Sequence, residues 1–150
     1  ILQAIAELHG RVLVQEEKTV HALIEGVKAS FIFYPYKLLS PLTIIEGLNV
    51  AGIEDIACMK AVAISQRAEK KDFFDMYELL KIFKPARLKE MFLEKYGHER
   101  INCYHILKSF FFFEDADASP DPVSYRGVIW DDVKNFFRDK EKELTSGLLC

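Results

Sequence analysis

The stretch that decides the fold runs from Gly52 to Leu80 and reads GIEDIACMKAVAISQRAEKKDFFDMYELL. From Ile56 to Ile64 every residue is apolar except Lys60, a pattern typical of a helix that is buried on most sides. Burying an unpaired ammonium is costly, so Lys60 must reach solvent, pair with an acid or bind a ligand phosphate. The stretch therefore predicts a helix with one cation that needs a partner.

The second half of the stretch supplies the candidate partners. Asp72 and Asp75 are three residues apart, which places both carboxylates on one side of a second helix. Met76 and Leu79 share that side, so we expect the carboxylates to point inward rather than to water. Arg67 lies in the connection between the two helices.

Each of these residues also has a purely structural interpretation. Asp72 suits the first turn of a helix, where the helix dipole favours an acid, and Asp75 could pair with Lys71 at i,i+4 spacing. Arg67 could cap the end of its helix. Asp55 is interpreted as an acid of the helix start rather than as a chemical group.

Composition points to one globular, cytoplasmic protein. The chain has 150 residues, is 50% hydrophobic and 13% aromatic, and carries a net charge of −3, so it has no global attraction for nucleic acid. Cys58, Cys103 and Cys150 are an odd number without paired spacing, which argues against a disulfide scaffold or a structural zinc site. No apolar run approaches the roughly 18–20 residues that span a membrane.

The first third of the chain predicts a small antiparallel meander after a short helix. The helix covers residues 1–8, and alternation predicts strands over 11–15, 19–24 and 27–34, with one more short strand within 42–50. Glu25-Gly26 is a plausible tight turn. We expect residues 1–50 to form one unit from this β-meander and the N-terminal helix.

After Gly52 the periodicity becomes helical. The pattern predicts about five helices, over residues 53–66, 71–83, 86–96, 101–113 and 130–144. Residues 114–127 are predicted to be an acidic surface loop and residues 145–150 a frayed tail. The predicted fold class is therefore α+β, with a small antiparallel sheet followed by a helical region over residues 51–150.

The polar residues of the central stretch follow the pattern E-D-x4-K-x6-R-x3-K-D-x2-D, from Glu54-Asp55 through Lys60 and Arg67 to Lys71-Asp72 and Asp75. This pattern resembles the C-terminal motifs of the AbiEii/AbiGii-type nucleotidyltransferases, the toxins of certain bacterial toxin–antitoxin and phage-defence systems. The segments YPYKLLSP at 34–41, FFEDAD at 112–117 and WDDVKNFF at 130–137 extend the resemblance over most of the chain.

The resemblance implies a site between sheet and helices that takes a nucleoside triphosphate, Mg²⁺ and an acceptor such as RNA. In that scheme Lys60, Asp72 and Asp75 are the catalytic residues. Lys60 holds phosphate together with Arg67, and the two aspartates position Lys60, the metal or the acceptor. The family also implies an antitoxin protein as a partner.

The chain departs from the general nucleotidyltransferase pattern in two ways. It contains no Gly-Ser or Gly-Gly turn followed by a D-x-D strand, which we expect upstream of Ile1, and Ser30 stands where the family strand commonly has an aspartate. Asp115-Ala116-Asp117 has the D-x-D spelling but follows a helix, so it is rejected as the metal pair. No metal ligand is therefore assigned.

Two rival interpretations remain open at this point. The chain could be a non-catalytic domain that binds a nucleotide or only packs structurally. It could also be a protein-interaction module whose acidic loop at residues 114–121 contacts an antitoxin.

Overall fold

The computed structural model describes residues 1–124 and 126–149, which form two compact units, Ile1–Tyr36 and Lys37–Cys150. The first unit is a helix and a three-stranded antiparallel sheet, and the second is a two-stranded hairpin followed by helices. The predicted α+β class with a small antiparallel sheet is confirmed. The domain boundary placed at residue 50 stays a prediction.

The first unit is built around a β-meander. Helix α1 (Leu2–Glu7) precedes strands β1 (Arg11–Glu16), β2 (Thr19–Ile24) and β3 (Val27–Ile32), which pair in the order β1-β2-β3. The turn between β2 and β3 is Glu25-Gly26, as predicted. Both turn residues have positive φ, 49° and 80°, which is the backbone that a tight two-residue hairpin requires.

The second unit opens with a hairpin where the sequence predicted one strand. Strands β4 (Thr43–Ile45) and β5 (Leu48–Val50) pair antiparallel around Glu46-Gly47, whose φ values are 50° and 81°. The prediction of a single strand around Gly47 was wrong because this Glu-Gly pair repeats the turn chemistry of Glu25-Gly26. Two short strands therefore replace one.

Seven helices follow in the part of the second unit that the structure describes, rather than about five. They are α2 (Ile53–Arg67), α3 (Lys70–Ile82), α4 (Pro85–Tyr96), α5 (Cys103–Ser109), α6 (Glu114–Asp117), α7 (Trp130–Asp139) and α8 (Glu141–Leu149). Within the described ranges, none of these helices combines the length and the apolar character needed to cross a membrane.

The helices observed after residue 100 correct four predictions. The predicted helix 101–113 ends at Ser109, and the predicted loop 114–127 contains α6. The predicted last helix breaks at Lys140, and the segment predicted as a frayed tail is helical through Leu149. The reason is burial: Leu144 and Leu148 have no exposed surface, so α8 is held by packing. Cys150 lies outside the described residues.

An aromatic cluster forms much of the core of the second unit. The ring of Phe73 on α3 lies 5.4 Å from Phe113 and 5.5 Å from both Trp130 and Phe137, measured between centroids. Phe110 lies 5.6 Å from Phe137. Such edge-to-face and tilted pairs add to the free energy of burial. This cluster fixes α3, and with it the face that carries the two aspartates.

Candidate functional site

The turn between α2 and α3 brings the predicted site residues together. Helix α2 ends at Arg67, and Ala68 adopts a left-handed conformation with φ 46° and ψ 50°. Helix α3 begins two residues later, at Lys70, and packs against α2. Because the reversal is so short, Lys60 and Arg67 near the end of α2 meet Asp72 and Asp75 near the start of α3.

The site is an ion-pair cluster of four residues, which we call the Lys60 cluster: Lys60, Arg67, Asp72 and Asp75. The Lys60 Nζ atom lies 3.2 Å from Asp72 Oδ1 and 2.5 Å from Asp75 Oδ2. The Arg67 guanidinium donates from Nε to Asp72 Oδ2 at 2.8 Å and from Nη2 to Asp72 Oδ1 at 3.0 Å. This two-point contact fixes the carboxylate plane of Asp72.

Burial differs sharply within the Lys60 cluster. The side chain of Asp72 has no exposed surface, whereas Lys60 is 26% exposed, Asp75 47% and Arg67 51%. Asp72 is therefore the buried anchor, and Asp75 and Arg67 form the solvent-facing sides. The Lys60 ammonium lies between them, partly open to a ligand.

The pKa values of the cluster follow from these contacts. Burial alone would raise the pKa of Asp72, but hydrogen bonds from Arg67 and Lys60 outweigh burial, and the pKa lies below its ordinary value. Burial alone would lower the pKa of Lys60, but the hydrogen bond and charge of Asp75 and of Asp72 raise it above the ordinary value. The hydrogen bond to Asp72 raises the pKa of Arg67. All three groups are thus charged near neutral pH.

The structure decides between some of the local alternatives. Lys71 pairs with Glu69 at 2.6 Å, and Asp75 pairs with Lys60. Arg67 is the last residue of α2, yet its guanidinium binds Asp72 rather than closing the helix end. The expected contact of Lys60 with both aspartates is observed. The catalytic and nucleotide-binding roles of these residues stay predictions.

A second ion pair, between Asp55 and Lys95, was missed at the sequence level. Asp55 does lie in the first turn of α2, as predicted, but its side chain is 1% exposed and pairs with the fully buried ammonium of Lys95 on α4. The sequence signal was the spacing of Lys95 four residues after the apolar Met91, because residues four apart share a helix face.

The Asp55–Lys95 pair fastens an extended segment to the helices. The backbone N–H of Leu39 donates to both Asp55 oxygens at 3.1 Å, and that of Ser40 donates at 3.3 Å. Lys95 also donates to the backbone carbonyl of Lys37 at 2.9 Å. The pair therefore holds residues 37–40, part of the YPYKLLSP segment, against α2 and α4.

The carboxylates of the Lys60 cluster do not fit a magnesium site. Both oxygens of Asp72 accept from Arg67 or Lys60, and Asp75 faces the Lys60 ammonium. A divalent cation there would lie against two cations that already neutralise the acids. Within residues 1–124 and 126–149, no group of three or more His, Cys, Asp or Glu side chains could hold a metal.

Ser30 belongs to the first unit and contacts a histidine. Its hydroxyl lies 2.7 Å from Nδ1 of His21 on the neighbouring strand, directly opposite in the sheet register. A hydroxyl paired with an imidazole does not replace an anionic ligand for a hard cation.

Comparison with known proteins bears on the family. Residues 10–145 match the family model described as nucleotidyl transferase AbiEii toxin, type IV TA system. The chain is 40% identical over 139 residues to the uncharacterized protein aq_aa25 of Aquifex aeolicus, which covers 89% of this chain and 65% of that protein. The crystal structure of JHP933 from Helicobacter pylori has a TM-score of 0.48, 15% identity, and coverage of 91% of this chain and 65% of that one.

The chain spans about two thirds of the length of these relatives, 65% in each case. The family match covers nearly all of the chain and includes every residue of the Lys60 cluster. The suspected kinship is thereby confirmed, and the chain belongs to the AbiEii family of nucleotidyltransferase toxins.

Proposed function

We propose that this chain supplies the phosphate-binding helical part of an enzyme that transfers a nucleotide from a nucleoside triphosphate to an acceptor such as RNA. The observation that carries the proposal is the placement of Lys60. Lys60 lies within the otherwise apolar stretch 56–64 of α2, is held by a buried aspartate and keeps part of its side chain open to solvent. A compact cation so placed suits a polyphosphate whose charge shifts during transfer.

The proposed roles follow the burial of each group. Lys60 binds the phosphates, and Asp72 fixes the position of Lys60 from below. Arg67 supports Asp72 and, being half exposed, presents its outer edge to the nucleotide. Asp75 is the carboxylate with access to solvent, so it is the one that a phosphate displaces from Lys60.

The reaction in this proposal is a displacement at phosphorus. An acceptor hydroxyl oxygen forms a bond to the α-phosphorus, the bond between that phosphorus and the bridging oxygen breaks, and pyrophosphate leaves. The hydroxyl proton passes to a base, for which Asp75 is the candidate once it has left Lys60. Positioning and charge stabilisation are the contributions that such a cluster makes to phosphoryl chemistry.

Cofactor, partner and location complete the proposal. Nucleotidyltransferases generally depend on a divalent metal, and Mg²⁺ is the proposed ion, with none of the described residues assigned as its ligand. The type IV toxin–antitoxin family supports an antitoxin protein as partner and a cytoplasmic location. The acids of residues 114–121 are the proposed contact, although Asp117 already accepts from Trp130 and Asp121 from Lys70.

A non-catalytic nucleotide-binding domain is the second candidate. It is favoured by the contact of Ser30 with His21, because a serine hydroxyl stands where family members commonly have an acid. In this version Lys60 and Arg67 bind the nucleotide in the same way, but no transfer occurs.

The binding step can be tested by thermal unfolding with ATP, CTP, GTP and UTP in the presence of magnesium. A ligand that binds only the folded state at about 100 times its Kd adds about 2.7 kcal/mol of stability, which is readily measured. We expect stabilisation of the wild-type chain by at least one nucleotide and its loss in Lys60→Ala. Lys142→Ala, on the exposed face of α8, is the matched control and should retain the effect.

One outcome contradicts both candidates, and a second experiment separates them. Nucleotide stabilisation that survives in Lys60→Ala contradicts both, because each assigns the phosphates to Lys60. Transfer of label from an α-³²P-labelled triphosphate to RNA, tested on a preparation that shows Lys60-dependent binding, distinguishes the enzyme from the non-catalytic domain.

A further inference from the structure

A cavity of about 570 Å³ lies beside the Lys60 cluster, between the end of α2, helix α5 and the residues after it. We call it the α2–α5 cavity; its side chains include those of Arg67, His105, Lys108, Phe111, Phe112 and Asp115. Its size falls within the range of small-molecule sites, about 300–1,000 Å³. A nucleotide base with its sugar fits such a volume.

One phenylalanine of the cavity lining is half exposed, and an exposed tyrosine lies beside a lysine of the lining. Phe112 is 50% exposed, and Tyr104, one helical turn from Lys108, is 53% exposed. Both residues therefore keep access to solvent, although the neighbouring Phe110 and Phe113 are buried in the core. An exposed ring face is a platform on which any nucleobase can stack.

The charge of the cavity complements a phosphate chain. Arg67 and Lys108 contribute two cations and His105 an imidazole, against one acid, Asp115. Within the described part of the chain Lys108 has no ion-pair partner; its Nζ lies 5.1 Å from the centroid of the Tyr104 ring. A lysine next to an exposed ring places a phosphate-binding group beside a surface on which a base can stack. This local positive charge exists although the net charge of the chain is −3.

We propose that the α2–α5 cavity binds the terminal nucleotide of a single-stranded RNA acceptor. The base stacks on Phe112, and the phosphate that follows it contacts Lys108. Arg67 belongs both to this cavity and to the Lys60 cluster, so the bound terminus lies next to the proposed site of transfer. This inference rests on the proposed function and adds to it the residues that receive the acceptor.

The test is fluorescence anisotropy of a short, unstructured, 5′-labelled RNA with the 150-residue chain over a series of salt concentrations. Phe112→Leu keeps an apolar side chain but removes the ring, and we expect it to weaken RNA binding by about fivefold or more. Phe112→Tyr keeps the ring and should bind as the wild type does. Comparison of Leu with Tyr separates stacking from any loss of folding, which circular dichroism checks in each variant.

The phosphate contact has its own measurement. Lys108→Gln should reduce the slope of log K against log salt by about 0.7, the value for one phosphate contact on a single strand. Lys142→Gln, the same change on α8, should leave the slope unaltered. Equal slopes and equal affinities in the Phe112, Lys108 and Lys142 variants would overturn the proposal.

Competition between ATP and the labelled RNA shows whether the cavity binds the base of the triphosphate or that of the acceptor. If ATP displaces the RNA and Phe112→Leu weakens ATP binding equally, the cavity holds the triphosphate and the proposal is wrong. If RNA binding is unaffected by these changes while Lys60 still controls nucleotide stabilisation, the cavity proposal fails and the proposed function stands. If nucleotides do not stabilise the chain through Lys60 but RNA binding still depends on Phe112, the proposed function is wrong and the cavity is supported as an RNA site.

Discussion

Replacing Lys95 by methionine is expected to be among the most destabilising single changes in the second unit. Methionine is close in size to the lysine stem, so packing is largely kept while the ammonium is lost. The carboxylate of Asp55, 1% exposed, then keeps only the backbone N–H groups of Leu39 and Ser40. Removing one member of a buried ion pair typically costs about 3–5 kcal/mol, a large share of a domain stability of about 5–15 kcal/mol.

A double-mutant cycle separates the pair from its surroundings. Asp55→Asn removes the charge but keeps one oxygen to accept from Leu39, so it alone should be destabilising by a smaller amount. In the double variant the stranded charge is gone, and we expect a favourable coupling free energy of about 1–3 kcal/mol. Lys142→Met, on an exposed helix face, is the control and should change stability by less than about 0.5 kcal/mol.

Urea unfolding followed by far-UV circular dichroism measures these free energies, and hydrogen exchange reports the local consequence. The Leu39 and Ser40 amides donate to Asp55, so their exchange should accelerate in the Asp55→Asn and Lys95→Met variants. A Lys95→Met cost below about 1 kcal/mol, or additivity within about 0.3 kcal/mol in the cycle, would refute the assignment of a buried pair.

Two further predictions concern the same unit. Hydrogen bonds from Arg67 and Lys60 outweigh burial and lower the pKa of Asp72 below its ordinary value of 3.8, so the carboxylate stabilises the folded state fully at pH values well above 3.8. This stabilisation is lost as the pH falls from about 4 through the folded-state pKa, so the free energy of unfolding of Asp72→Asn should depend less on pH below about pH 4. Gly147→Ala should destabilise the fold by about 1–3 kcal/mol in thermal unfolding, although alanine has the better helix propensity. The reason is steric, because a Cβ at this position would lie 2.5 Å from the Pro85 Cβ and 2.8 Å from the Ala86 backbone nitrogen. An unchanged or higher Tm would contradict this prediction.

The contact of Lys60 with the two aspartates could be predicted from sequence because all three residues lie close together along the chain. A single lysine in an apolar helix requires a counter-charge, and the nearest candidates followed within one short turn, so spacing alone brought Lys60 to Asp72 and Asp75. The α+β class and the first three strands followed from alternation and a Glu-Gly turn. These are features set by neighbours along the chain.

The features that were missed depend on partners far apart in sequence. Asp55 and Lys95 are 40 residues apart, and nothing near Asp55 shows that a cation from α4 reaches it. The C-terminal segment is helical because Leu144 and Leu148 pack in the core. The polar residues near the chain end gave no indication of this packing. The α2–α5 cavity likewise exists only where two helices meet.

Arg67 lies in two places at once, in the Lys60 cluster and in the wall of the α2–α5 cavity. An evolving or engineered variant cannot reshape one without disturbing the other through this residue. Substitutions that retune what enters the cavity should therefore arise first at Phe112 and Lys108, which leave the guanidinium in place. Arg67 itself should tolerate few substitutions, and any replacement there would need a compensating change at Asp72.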